Sequence, residues 1–198
     1  TERSHAAATQ TDGKILLGGY IGTNSNDFQV LRLNTNGTLD TTFDTDGRVS
    51  TTIGTLGEIA RALIVQPDGK IIAAGYSSNG TNDDFALVRY NTNGSLDSSF
   101  DTDGKVTTAI GSSTDQGFAA LRQADGKVVV AGSAAMTTTD FAVVRYTAAG
   151  ALDTSFDADG KATFTMGTGT DVAYGITQQE AEKRRGQEKR DQAEAVGH

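Results

Sequence analysis

Gln10, Gln66, Gln123 and Gln179 stand 56, 57 and 56 residues apart, and the same phrases return between them. TDGKILLGGY comes back as PDGKIIAAGY and ADGKVVVAGS. DFQVLRLN comes back as DFALVRYN and DFAVVRYT, and LDTTFDTDGRV as LDSSFDTDGKV and LDTSFDADGKA. Three copies at one period restrict the chain to a repeat architecture, in which each unit buries its faces against its neighbours.

Each copy reads as four short strands. In the middle copy they are 60–66 (ARALIVQ), 70–76 (KIIAAGY), 85–90 (FALVRY) and 105–110 (KVTTAI). Pro67-Asp68-Gly69 joins the first two as a hairpin. The strands are rich in β-branched and small residues, and Gly, Asn and Asp bound them. Apolar residues on both faces suit a sheet held between two others, so the reading is all-β, with four-stranded antiparallel blades of a β-propeller. The blades are placed at about 2–57, 58–114 and 115–170. An extra strand within 171–179 then opens a fourth, and the repeat domain spans 1–179.

The phrases QPDGKIIAAGY and DFALVRYNTNGSLDSSFDTDGKVTT carry a resemblance. With the acidic residue eight positions before each Gln, they resemble the uncharacterised delta-sixty repeat family, over about residues 2 to 179. That resemblance implies a β-propeller and a secreted or cell-surface bacterial location. It brings no established activity and no catalytic residues.

The last twenty residues hold five positive and five negative side chains, so the net charge of −8 lies wholly in residues 1–178. Such a body repels phosphate backbones, and nucleic acid is not expected as a partner. The tail, 180–198, is rich in Glu, Lys, Arg and Gln and has no apolar stripe, which predicts a solvated helix or a disordered extension. No apolar run is long enough to span a membrane. No basic-then-apolar leader follows Thr1, so a signal peptide is expected to have been removed or to lie outside this sequence. Cysteine is absent, and the only histidines are His5 and His198, which leaves little for thiolate or imidazole chemistry. No cofactor is expected.

The aspartates of LDSSFDTDGKV invite a calcium reading through Asp97, Asp101 and Asp103. The spacing is looser than D-x-D-x-D-G, and Ile110 stands where an EF-hand places its bidentate Glu. The phrase therefore reads as structural punctuation: Asp103-Gly104 as a turn pair, with Asp97 and Asp101 forming Asx-turns. Leu96 and Phe100, repeated in each copy, are expected to plug the gap between blades. Arg32, Arg89 and Arg145 sit on an otherwise apolar face, which predicts a repeated ion pair or carbonyl contact between blades. Glu2, Glu58, Asp115 and Asp171 precede each Gln by eight residues. They form either caps on the turn into the innermost strand, the favoured reading, or a rim of carboxylates for a cation or amine.

The copies differ most at IGTNSN, SSNGTN and AAMTTT, and at GTLGE, GSSTD and GTGTD. Both sets are expected on one face, where variable loops on a rigid frame carry binding. The candidate ligand contacts are Asn24, Asn26, Asn79, Asn82, Thr137 and Thr138, with Glu58, Asp115 and Asp171; no catalytic residue is assigned. The function expected is a non-catalytic extracellular binding or scaffold module for a glycan or polar surface, with a bacterial adhesin as one setting. The alternative is a polysaccharide-acting propeller enzyme using Asp/Glu acid-base chemistry. Three blades fall short of the four to eight that close a ring. A homodimer, or neighbouring blades of a longer chain, is therefore the expected partner, with 172–178 crossing to pair at the seam.

Overall fold

The computed structural model describes residues 2–22 and 26–179; Asn24 and the tail 180–198 lie outside them. The first blade is β1 (Glu2–Thr9), β2 (Ile15–Ile21), β3 (Asp27–Leu33) and β4 (Arg48–Thr51). The second is β5 (Leu56–Val65), β6 (Ile71–Ser78), β7 (Asp83–Tyr90) and β8 (Lys105–Thr108). The third is β9 (Asp115–Arg122), β10 (Val128–Ala135), β11 (Thr139–Tyr146) and β12 (Lys161–Phe164). Each is an antiparallel meander in chain order. The three-blade, all-β reading is therefore what the structure contains.

Burial follows position in the stack. In the middle blade β6 is buried at 71–77 without a break, because both of its faces meet another sheet. In the third blade β11 alternates half-buried and buried, the mark of a sheet covered on one side. One core joins blades one and two through Leu16, Phe28, Val30, Ile71, Val88 and Tyr90. A second joins blades two and three through Ile72, Phe85, Leu87, Val130, Val144 and Tyr146.

The innermost strands carry a feature that the alternating pattern hides. The pairing register of β1, β5 and β9 slips at Ser4/Ala6, Ala60/Ala62 and opposite Ala131/Gly132, leaving His5, Arg61 and Phe118 as bulged residues. A bulge bends its strand and re-aims the extra side chain. It also drives a carbonyl toward the neighbouring strand, where each copy has a glycine. A Cβ on Gly75 would stand 1.9 Å from the Ile59 carbonyl oxygen, and one on Gly132 equally close to that of Gln116. The glycine of the repeated GGY, AGY and AGS is required by that approach.

Residues 171–179 belong to none of the three sheets, yet they lie where a fourth innermost strand belongs. Asp171 N donates to Thr139 O at 2.8 Å, as Glu58 N does to Asn26 O two blades earlier. Ala173 N reaches Gly132 O at 3.2 Å, and the Tyr174 ring sits 5.1 Å from that of Phe118. No second strand lies beside it among the described residues, and the segment forms no ladder there.

Two local expectations are corrected. Phe100 is fully buried, but Leu96 remains 37% exposed, because it bridges back to Tyr90 at the sheet margin instead of entering the core. Asp97 makes the expected Asx-turn, its Oδ1 accepting the Ser99 amide at 3.1 Å, but the second is made by Asp103 rather than Asp101: Asp103 Oδ1 accepts the Lys105 amide at 2.9 Å. Asp101 and Thr102 both have positive φ (45° and 70°), a conformation that Asp tolerates better than most residues. The Asp101 main chain crosses the seam, its N–H donating to Ala149 O at 2.9 Å.

Candidate functional site

The β2–β3-type loops and the β4–β5-type loops meet at one end of the blades. Asn82 Nδ2 donates to Ser113 O at 2.8 Å, tying the β6–β7 loop to the β8–β9 loop. Asn79 braces its own loop: Oδ1 accepts the Thr81 amide at 2.9 Å, and Nδ2 donates to Asp84 Oδ2 at 2.9 Å. In the third blade Thr138 Oγ1 donates to Asp140 Oδ1 at 3.0 Å, while Thr137 is exposed. Asn26 takes part through its carbonyl, which accepts the Glu58 amide. Asn26, Asn79, Asn82, Thr137 and Thr138 thus share one end of the molecule.

The acidic positions lie just beneath. Glu58 Oε1 accepts the amides of Ile53, at 2.8 Å, and Gly54. Asp115 Oδ2 accepts those of Ile110 (2.7 Å) and Gly111 (3.1 Å), and Asp171 Oδ2 that of Met166 (2.8 Å). This is cap geometry: a carboxylate satisfies the turn that delivers the chain to the innermost strand. Glu58 and Asp115 are almost wholly buried, and among the described residues their other oxygens, Oε2 and Oδ1, have no hydrogen-bond partner. Burial pushes both carboxyls above the ordinary range, and the nearby Asp27 and Asp84 add to the rise. Glu2, the first-blade counterpart, is exposed.

At the opposite side of each sheet lies a repeated ionic lattice. Arg32, Arg89 and Arg145 donate through Nε to Oδ2 of Asp40, Asp97 and Asp153, at 2.7, 2.6 and 2.6 Å. Lys14, Lys70 and Lys127 reach the same oxygens at 2.8, 2.8 and 3.1 Å. Oδ1 of each Asp accepts the hydroxyl of Thr42, Ser99 or Ser155 at 2.7 Å. Each guanidinium also lies over Phe43, Phe100 or Phe156, 4.6 to 4.8 Å from the ring centre. The contact expected between blades is the carbonyl one, while the ion pair lies within each blade. Arg32 Nη1 donates to Thr92 O at 2.5 Å, and Arg89 Nη1 to Ala148 O at 2.7 Å, each across a seam.

The lattice holds the three aspartates well below the usual carboxylate range. At Asp40 the Lys14 contact leads. At Asp97 burial opposes and Lys70, Ser99 and Arg89 prevail, and at Asp153 Ser155 leads, with Lys127 and Arg145 behind it. Of the calcium candidates, Asp97 is engaged by two cations and Asp103 by a backbone amide. Among the described residues no three His, Cys, Asp or Glu side chains gather in a group suited to a metal.

The bulged residues form a column that sequence reasoning missed. His5 Nδ1 lies 3.1 Å from Arg61 Nη1, and the Arg61 guanidinium is 5.7 Å from the Phe118 ring, which meets Tyr174. One residue comes from each successive innermost strand. Their common offset from the repeated Gln was the available signal, but His, Arg, Phe and Tyr at one repeat position read as unrelated.

No curated protein matches the chain. Residues 10–43, 66–100 and 123–156, together just over half of the sequence, match the family described as the domain of unknown function (DUF5122) beta-propeller. Each matched stretch runs from the repeated Gln to the Phe of the LDxxFD phrase, so the match has the register of the blades. The chain belongs to the DUF5122 beta-propeller family.

Proposed function

We propose that this chain is a non-catalytic binding and scaffold module that works outside a bacterial cell and engages glycans or other polar surfaces through the loops at one end of its blades. The observation that carries the reading is the bond from Asn82 to Ser113, which ties the β6–β7 loop to the connection leading from the second blade to the third. It knits loops of different composition into one surface on a repeated frame, as binding loops on a rigid scaffold require. Asn and Thr side chains there supply donors and acceptors suited to hydroxyl-rich ligands. The carboxyls of Glu58 and Asp115 serve the turns beneath that surface rather than standing free on it. A place in an adhesin fits a module of this kind, as does a secreted or surface location.

The test is a glycan array and a polysaccharide panel probed with the purified chain. Retention of one glycan class with no release of reducing ends supports the proposal. Release of reducing ends that disappears in Glu58→Gln or Asp115→Asn would replace it with acid-base catalysis.

A further inference from the structure

The two internal seams are built from the same contacts, and the outer blades present the unmatched halves of a third. Tyr90 donates its hydroxyl to Thr51 Oγ1 at 2.8 Å across the first seam, and Tyr146 to Thr108 Oγ1 at 2.9 Å across the second. The position of these tyrosines in the first blade is Leu33, and the position of these threonines in the third blade is Phe164. Both members of the pair have changed, from hydroxyls to hydrocarbon, at the two faces without a neighbour. Phe164 is 53% exposed and Met166 beside it 72%.

The polar contacts tell the same story. Arg145 Nη1, among the described residues, finds no carbonyl like Thr92 O or Ala148 O; the matching acceptor in the first blade is Thr35 O. Among the described residues the Asp157 amide finds no acceptor like the one that Asn93 O gives Asp44 and Ala149 O gives Asp101. Lys105 and Lys161 reach back to Thr52 O and Ala109 O of the preceding blade at 3.1 and 3.0 Å. Arg48, their counterpart in the first blade, is exposed.

We infer that the open face of the third blade seats the first blade of a second copy of this chain, and that two copies close a six-bladed ring. Leu33 of one copy then packs on Phe164 of the other, Arg145 takes the Thr35 carbonyl, and Arg48 reaches Thr165 O. The interface is head-to-tail and closes after two copies, so both seams are equivalent. Six blades lie within the four to eight that propellers use. Residues 171–178 and β1 of the incoming copy occupy the same lane of the repeat, and one of them gives way at each seam. The contacts above lie outside that lane.

Sedimentation equilibrium of the purified chain tests the inference. A particle of twice the 20.6 kDa chain mass is expected. Leu33→Tyr or Phe164→Thr alone should weaken the dimer about tenfold or more, because each leaves a hydroxyl facing hydrocarbon. The pair together restores the internal-seam chemistry and should recover most of that loss. Circular dichroism checks that all variants remain folded. Single-chain mass at every concentration overturns the inference, as does a dimer that both single variants leave unchanged.

Discussion

Arg89 holds Asp97 of its own blade at 2.6 Å and the main-chain carbonyl of Ala148 in the next blade at 2.7 Å. One guanidinium thus fixes the long connection between β7 and β8 and also positions the neighbouring sheet. Replacing it with Ala leaves Asp97 buried with Lys70 as its one remaining described cation and the Ala148 carbonyl without the guanidinium. Arg89→Ala should cost about 3 kcal/mol in urea unfolding. Arg145→Ala removes no described carbonyl contact within one chain, so it should cost about 1 kcal/mol in the single chain at high dilution. Equal losses at the two sites in the single chain would contradict the seam role.

The glycines facing the bulges give a sharper prediction. Gly75→Ala places a methyl into the Ile59 carbonyl, and Gly132→Ala does the same at Gln116. Each should destabilise by about 3 kcal/mol, since neither backbone can withdraw without breaking its ladder. Gly37→Ala is the comparison, because a Cβ there meets nothing and only the positive φ of 84° opposes it. A loss of about 1 kcal/mol is expected at that site.

Stability should pass through a maximum on the acid side of neutrality. Glu58 and Asp115 have raised folded-state pKa values, so their charged forms oppose folding at pH 7. Stability rises as pH falls through those raised values toward the unfolded carboxyl value near 4. Asp40, Asp97 and Asp153 are lowered, so their contribution is complete above the unfolded value and is lost as pH falls below it. Thermal melts between pH 3 and pH 8 check both limbs. Asp115→Asn should flatten the upper limb and Asp97→Asn the lower; unchanged profiles in both variants would remove these groups from the account.

Calcium should not be required for folding. Asp97 is engaged by Arg89 and Lys70, Asp103 by the Lys105 amide, and the Asp101 backbone turns through positive φ. Melts in EDTA and in millimolar calcium should coincide, and a calcium-dependent rise of several degrees would show a site made by other groups.

The four strands of each blade were legible because the repeat shows them three times. The expected strands 60–66, 70–76, 85–90 and 105–110 fall on β5, β6, β7 and β8. The bulge at Arg61 was not legible, because alternation is counted from sequence position while register depends on the partner strand. Lys70 was not read as a partner of Asp97, since the two lie 27 residues apart and meet only through the pairing of β6 with β7. The Asn and Thr loops were placed on one face from topology alone. The bond from Asn82 to Ser113 joins two loops 31 residues apart, and it depends on the path of the chain from β8 to β9, which periodicity does not show.

The loop face is the centre of the functional reading, and titrating loop variants against the glycan retained on the array tests it most directly. Asn79→Ala with Asn82→Ala, and separately Thr137→Ala with Thr138→Ala, should weaken binding about tenfold or more in at least one pair, with the melting midpoint nearly unchanged. Binding that survives both pairs, and is lost instead on changing His5, Arg61 or Tyr174, would contradict the account and move the ligand to the innermost strands.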